Sequence, residues 1–259
     1  PGYGWSKADD IALAQGIALD SEERMGAYLV HYLRAQADLN GNSWVDVDDL
    51  CTAIGQVCGD TDEEKIYNVV RNGIKTNVLY FDQDNGRVGL MEYRELEQEL
   101  ANEIVRIQKG KATIEIDKDY AEKILEDIES RQGFTFTDEQ NAAIWNTINN
   151  QFSILTGAAG VGKSSAVNGI AHILKEHNFR VAQVSLSGRA ASKLTEITHI
   201  PGQTIHRLLK YDPDTGKFRH NKDNPVPYDI IIGDGIMSCS LTQQRISQNG
   251  LIPRVLFPP

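Results

Sequence analysis

The chain has 259 residues, 41% of them hydrophobic and 24% charged, with 8 prolines, which excludes a disordered or collagen-like polymer and allows two compact domains. Three cysteines, Cys51, Cys58 and Cys239, are too few for a disulfide framework, and no apolar run approaches the ~18 residues needed to cross a bilayer, so a chain of the reducing cytoplasm with no membrane partner is expected. The net charge of −10 is unevenly divided, with 14 Lys and Arg against 27 acids in residues 1–133 and 12 against 9 in residues 134–259, so two units with different tasks are expected.

From the N-terminus, the turn Pro1–Trp5 precedes an amphipathic helix expected from Ser6 to about Ala18, and Met25, Leu29, Tyr32 and Leu33 share one face of a second, Ser21–Ala37. Short helices follow at Val47–Val57 and Thr61–Asn72, the latter opened by the capping-box spacing Thr61 and Glu64. The period then changes to that of strands. Val78–Phe81 and Arg87–Leu90 flank Asn85-Gly86, a strong hairpin turn, and a helix Glu92–Ile107 closes the region.

After a linker near 109–116 comes a charged helix, Asp119–Arg131, stopped by Gly133. From Phe134 the pattern alternates: helix Asp138–Asn149, strand Phe152–Thr156, helix Lys163–His177, strand Arg180–Ser185, helices Gly188–Thr195 and Thr204–Lys210, and strand Tyr228–Ile232. Strands alternating with helices predict an α/β domain with a covered parallel sheet, preceded by a mostly α-helical region with a small β-hairpin.

Gly157-Ala158-Ala159-Gly160-Val161-Gly162-Lys163-Ser164 fits the eight-position phosphate loop and falls between a predicted strand and helix, as that loop requires. Glycines let the backbone curl so that N–H groups, with the positive helix end, hold phosphate oxygens. Lys163 can then meet the β- and γ-phosphates of ATP, and Ser164 can ligate Mg²⁺, with Ser165 next on the helix. A metal-side carboxylate should end a neighbouring apolar strand, and Asp234, after Ile230–Gly233, is placed for it. The next residue is Gly235, where a water-activating glutamate would be expected, so hydrolysis by this chain should be impaired.

These segments resemble RecD-like superfamily 1 DNA helicases of the branch with an extra N-terminal region. Phe136–Gln140 is similar to the motif whose glutamine, here Gln140, recognises adenine. Ser187-Gly188-Arg189-Ala190-Ala191 resembles a segment that contacts single-stranded DNA, and Thr204-Ile205-His206-Arg207-Leu208-Leu209 resembles the next motif. Pro1-Gly2-Tyr3-Gly4 with Ala8 is similar to the second half of a helix-hairpin-helix. The resemblance implies a partial helix-hairpin-helix at 1–19, a winged-helix-like domain at 20–108, a linker and helix at 109–133, and a RecA-like ATP-binding lobe at 134–234. It implies ATP and Mg²⁺ as cofactors and single-stranded DNA or a single-strand/duplex junction as partner, with accessory repair or replication proteins. Lys163 and Asp234 would be catalytic, Ser164 and Asp234 would hold the metal, and Gly2, Gly4, Gly188, Arg189, Thr204 and His206 would lie toward DNA. Movement is expected 5′ to 3′, and the fragment alone should not unwind.

Other readings remain open at single residues. Gln140 also fits the N3 position of a capping box with Thr137, Arg189 and Lys193 a solvated helix face, and His206 a packing residue. From Gly235 the family pattern stops, so residues 235–259 are expected to be a non-family tail arising from a reading-frame error or truncation after Asp234. Asp38, Asn40, Asn42, Asp46 and Asp49 match the oxygen spacing of a calcium-binding EF-hand loop, although Ser43 stands where a glycine is usual. A different phosphate-loop ATPase or kinase, a non-catalytic nucleotide-binding module and a calcium module are therefore the competing functions.

Overall fold

The computed structural model describes residues 4–59, 62–110, 115–158, 160–221, 223–234 and 255–257. The chain divides into two compact units, residues 1–98 and 99–259. The division falls inside a long helix, α5 at Met91–Lys109, rather than after residue 108. The later residues of that helix, Leu100 and Ile104, join an apolar cluster of the second unit, which is why the sequence boundary and the structural one differ.

In the first unit, α1 spans Trp5–Ala14 and stops at Gln15, ahead of Gly16 at φ +87°, short of the expected Ala18. Helix α2, Glu22–Asn40, is capped by Ser21, whose hydroxyl accepts from the Arg24 amide at 3.2 Å, and it ends at Gly41 in the left-handed region. Arg24 ties the two helices. Its guanidinium is buried, donates to both oxygens of Asp9 at 2.6 and 2.8 Å, and also donates to the Leu19 and Val57 carbonyls.

Strand β1, Trp44–Asp46, leads into α3, Val47–Cys58; α4 follows at Glu63–Lys75, then β2 at Leu79–Asp82 and β3 at Arg87–Leu90. The three strands are antiparallel in the order β1-β3-β2. The hairpin turn is where Asn85-Gly86 places it: Gly86 has φ +64°, and the Asp82 carboxylate accepts from the Asp84 amide and the Asn85 side chain. Strand β1 is a correction to the sequence reading, since three residues are too few to display a period of two. The cap of α4 is another. Asp62 accepts from the Glu64 amide at 3.1 Å, and the expected capping residue Thr61 lies outside the described residues. Met25, Leu29 and Leu33 pack with Leu50, Ile54, Leu79 and Val88, each fully buried side chain contributing about 1.5–3 kcal/mol.

The structure counts against the EF-hand reading at its start, because α2 runs through Asn40 and leaves Asp38 and Asn40 on a helix rather than in a loop. Asp38 and Asn40 stand in the last turn of α2, Asp46 in a strand and Asp49 in the first turn of α3. Among the described residues no three His, Cys, Asp or Glu side chains are placed to hold a metal ion.

In the second unit, α6 at Lys118–Gln132 and α7 at Asp138–Asn149 precede β4 at Phe152–Ile154 and α8 at Lys163–Glu176. Then come β5 at Val181–Ser185, α9 at Gly188–Thr198, β6 at Gly202–Thr204, α10 at Ile205–Leu208, a small hairpin of β7 at Tyr211–Asp212 and β8 at Lys217–Phe218, β9 at Ile230–Asp234, and β10 at Val255–Phe257. The main sheet is parallel, in the order β4-β10-β9-β5-β6. The run Ile230-Ile231-Ile232 is apolar throughout because both sheet faces are covered. Ile230 and Ile232 pack with α6, α7 and α8 residues such as Ile124, Ile144 and Ile170, and Ile231 packs on the opposite face with Leu100, Ile205 and Leu208. Strands β6, β7, β8 and β10 have only two or three residues each and lacked a recognisable pattern. Among the described residues no helix is long and apolar enough to cross a membrane.

Candidate functional site

A parallel sheet gathers the C-terminal ends of its strands at one edge, so whatever follows those strands shares a crevice. Here the phosphate-type loop follows β4, Ser187-Gly188-Arg189 follows β5, Thr204 ends β6 and Asp234 ends β9. Strand β10 lies between β4 and β9, so Asp234 is two strand spacings, about 10 Å, across the edge from the loop's own strand. That separation leaves room for a polyphosphate between loop and carboxylate.

The loop's turns rest on glycine. Gly160 has φ +86° and Gly162 has φ +81°, a region costly for other residues, and Gly162 is the N-cap of α8. The Ser165 and Ala166 amides return to the Gly162 carbonyl at 3.0 and 3.2 Å, fixing the first turn of the helix. The earlier amides of that turn have no intrahelical acceptor, which makes the helix start an anion-binding end. Lys163 lies across the loop, its Nζ donating to the Gly157 and Ala158 carbonyls at 2.5 and 2.8 Å. Ser164 and Val161 are exposed at the mouth, and Ala159 lies outside the described residues.

Gln140 is held in two ways at once. As N3 of α7 it completes a capping box: its Oε1 accepts from the Thr137 amide at 3.1 Å, and the Thr137 hydroxyl accepts from the Gln140 amide. Its Nε2 donates to the Val161 carbonyl at 3.1 Å, and a Cβ on Gly162 would stand 2.0 Å from that nitrogen. The capping box was legible in the sequence, whereas the seat on the loop needed the fold.

Asp234 is partly buried at the strand end, in register with Ser185 of β5. Burial pushes its carboxyl above the usual range, and the positive charge of Lys193 on α9 partly opposes that. In the sequence Lys193, with Arg189, reads either as a solvated helix face or as a DNA- or nucleotide-linked group. A hydroxyl on Ser164 and a carboxylate on Asp234 are hard oxygen donors suited to Mg²⁺, and the left-handed glycines with Lys163 suit a phosphate chain.

The remaining residues are less closely gathered. Arg189 is exposed in the first turn of α9, and Gly188 has open space where a side chain would be. Thr204 caps α10, accepting from the Arg207 amide at 3.3 Å. His206 meets Tyr211 edge-on at 5.6 Å, and the Phe218 ring lies 6.1 Å away, so it packs with the small hairpin. Gly4 is the N-cap of α1, in the other unit, and Gly2 lies outside the described residues, as does Gly235.

Residues 140–248 match the family model of an AAA domain, which reaches past Asp234 into the segment read from the sequence as a non-family tail. The chain is 34% identical over 107 residues to the ATP-dependent RecD2 DNA helicase of Deinococcus radiodurans, covering 41% of this chain and 14% of that protein. It is 31% identical over 129 residues to the RecBCD enzyme subunit RecD of Mycolicibacterium smegmatis, covering 40% and 23%. To the RecBCD enzyme subunit RecD of Haemophilus influenzae it is 28% identical over 141 residues, covering 45% and 22%. The aligned portion thus spans less than a quarter of each of these relatives.

Proposed function

We propose that this chain, whose phosphate-loop region is that of a RecD-like superfamily 1 helicase, carries the ATP-binding part of a motor that moves along single-stranded DNA in the 5′ to 3′ direction. The observation that carries the reading is the shared sheet edge, where the glycine loop with Lys163 faces Asp234 across about two strand spacings.

In this reading the amides from Gly157 to Ser165 hold the phosphate chain, and Lys163 leaves its carbonyl partners to offset negative charge on the β- and γ-phosphates. Ser164 and Asp234 hold Mg²⁺, which when bound neutralises phosphate charge and fixes the phosphates' orientation. Gln140 positions the Val161–Gly162 turn and lies toward the adenine. Gly188, Arg189, Thr204 and His206 lie at the ends of neighbouring strands, where bound DNA could be sensed by the nucleotide site. With glycine at 235 no carboxylate is available there to orient the attacking water, so hydrolysis should be lowered by roughly 10²–10⁴.

The first unit's order of helix, strand, two helices and hairpin, with strands arranged β1-β3-β2, supports a winged-helix-like reading. The nucleotide reading favours a RecD-like motor over another phosphate-loop ATPase or kinase because the Gly188–Ala191 and Thr204–Leu209 segments follow the loop in order. ATP turnover of a Gly235→Glu variant in a chain extended to the length of the RecD relatives, with and without single-stranded DNA, tests this. Stimulation by DNA is expected; nucleotide binding with turnover indifferent to DNA would point to a different ATPase.

A further inference from the structure

Helices α3 and α4 of the first unit enclose a cavity of about 390 Å³ that the nucleotide reading does not use. Its wall is apolar where Ile66, Gly55 and the ring of Tyr67 face it, and acidic where Asp48 and Glu63 stand in the first turns of the two helices. Among the ion pairs of the described residues none involves either carboxylate, while the Tyr67 hydroxyl donates a hydrogen bond to Asp48. Burial, and then Asp48 and Glu63, push the Cys51 thiol in the same cavity up, so the negative field extends inward. Residues 1–98 hold 8 Lys and Arg against 18 acids, and this charge opposes docking on a phosphate backbone.

We propose that this groove is a docking site for a protein segment bearing a basic side chain, whose aliphatic stem lies along Tyr67 and Ile66 while its charged head pairs with Asp48 and Glu63. The dimensions suit a single long cation, which buries its methylenes and keeps its charge on acceptors at the rim. A first unit built this way meets a partner protein through this groove. The inference rests on the first unit alone and stands or falls separately from the nucleotide site.

The test uses the full chain, ¹⁵N-labelled, and a pentapeptide with one central arginine between leucines, compared with the same peptide carrying citrulline. Saturable amide shifts at Thr52, Gly55, Ile66 and Tyr67 are expected with the arginine peptide. Affinity should fall about tenfold for citrulline, and similarly for Asp48→Asn with Glu63→Gln. Gly55→Leu, which fills the cavity and leaves both carboxylates in place, should abolish the shifts. The proposal is overturned if the shifts scatter over other acidic surfaces, if either variant binds as the parent does, or if a short DNA duplex moves the same amides.

Discussion

Gln140 donates its side-chain amide to the Val161 carbonyl at 3.1 Å while its own carbonyl oxygen accepts from the Thr137 amide, so one side chain joins the start of α7 to the phosphate-type loop. Gln140→Ala should therefore destabilise the second unit by about 1 kcal/mol through the lost cap, and should weaken Mg·ATP binding by loosening the loop. Thermal unfolding with and without Mg·ATP separates the two. An unchanged nucleotide-induced stabilisation would mean that the loop does not depend on this contact.

Gly162 presses against the same amide. Gly162→Ala adds a Cβ 2.0 Å from Gln140 Nε2 at φ +81°, so roughly 1–3 kcal/mol of strain is expected. Combining it with Gln140→Ala should relieve the collision and leave the backbone strain. A double-mutant cycle on stability should show coupling of about 0.5 kcal/mol or more, against none for sites out of contact.

Arg24 and Asp9 hold α1 to α2 from a buried position, the two side chains 4% and 14% exposed. Arg24→Met strands a carboxylate and two carbonyls and should cost about 3 kcal/mol in chemical denaturation. The hydrogen bond and charge of Arg24 hold the Asp9 carboxyl below its usual range. The pair's stabilisation is present above the unfolded carboxyl's titration and is lost as pH falls through the lower folded value. The parent should accordingly lose more stability on acidification than Asp9→Asn does.

Asp234 has the opposite sign. Burial raises its carboxyl, so in the unliganded fold it binds a proton more tightly than in the unfolded chain, and its own contribution to folding stability grows as pH falls. Mg²⁺ needs the ionised form, so the Mg²⁺ requirement for nucleotide binding should rise as pH drops through that raised value. Asp234→Asn should remove the pH dependence together with the Mg²⁺ enhancement, as titration of nucleotide affinity against Mg²⁺ at several pH values would reveal.

What could be read from the sequence followed the strength of local signals. The glycine loop, the Thr137–Gln140 capping box and the Ile230–Ile232 strand each carry their pattern within a few residues, and the fold contains all three. Strands β1, β6 and β10 did not, because each exists by pairing with partners far along the chain rather than by its own periodicity. The calcium-like spacing at Asp38–Asp49 does not show that α2 runs through Asn40, which puts its first two oxygens on a helix. The bond from Gln140 to Val161 and the charge of Lys193 near Asp234 depend on the sheet bringing separate segments together.

The most direct measurement is calorimetric titration of the folded chain with Mg·ATP, repeated for Lys163→Ala. Saturable one-to-one binding that is lost or weakened at least tenfold in the variant is the expected result. Folded protein that takes up no heat from Mg·ATP, or a Lys163→Ala variant that binds as tightly as the parent, would contradict the assignment of Gly157–Ser164 as a nucleotide cradle.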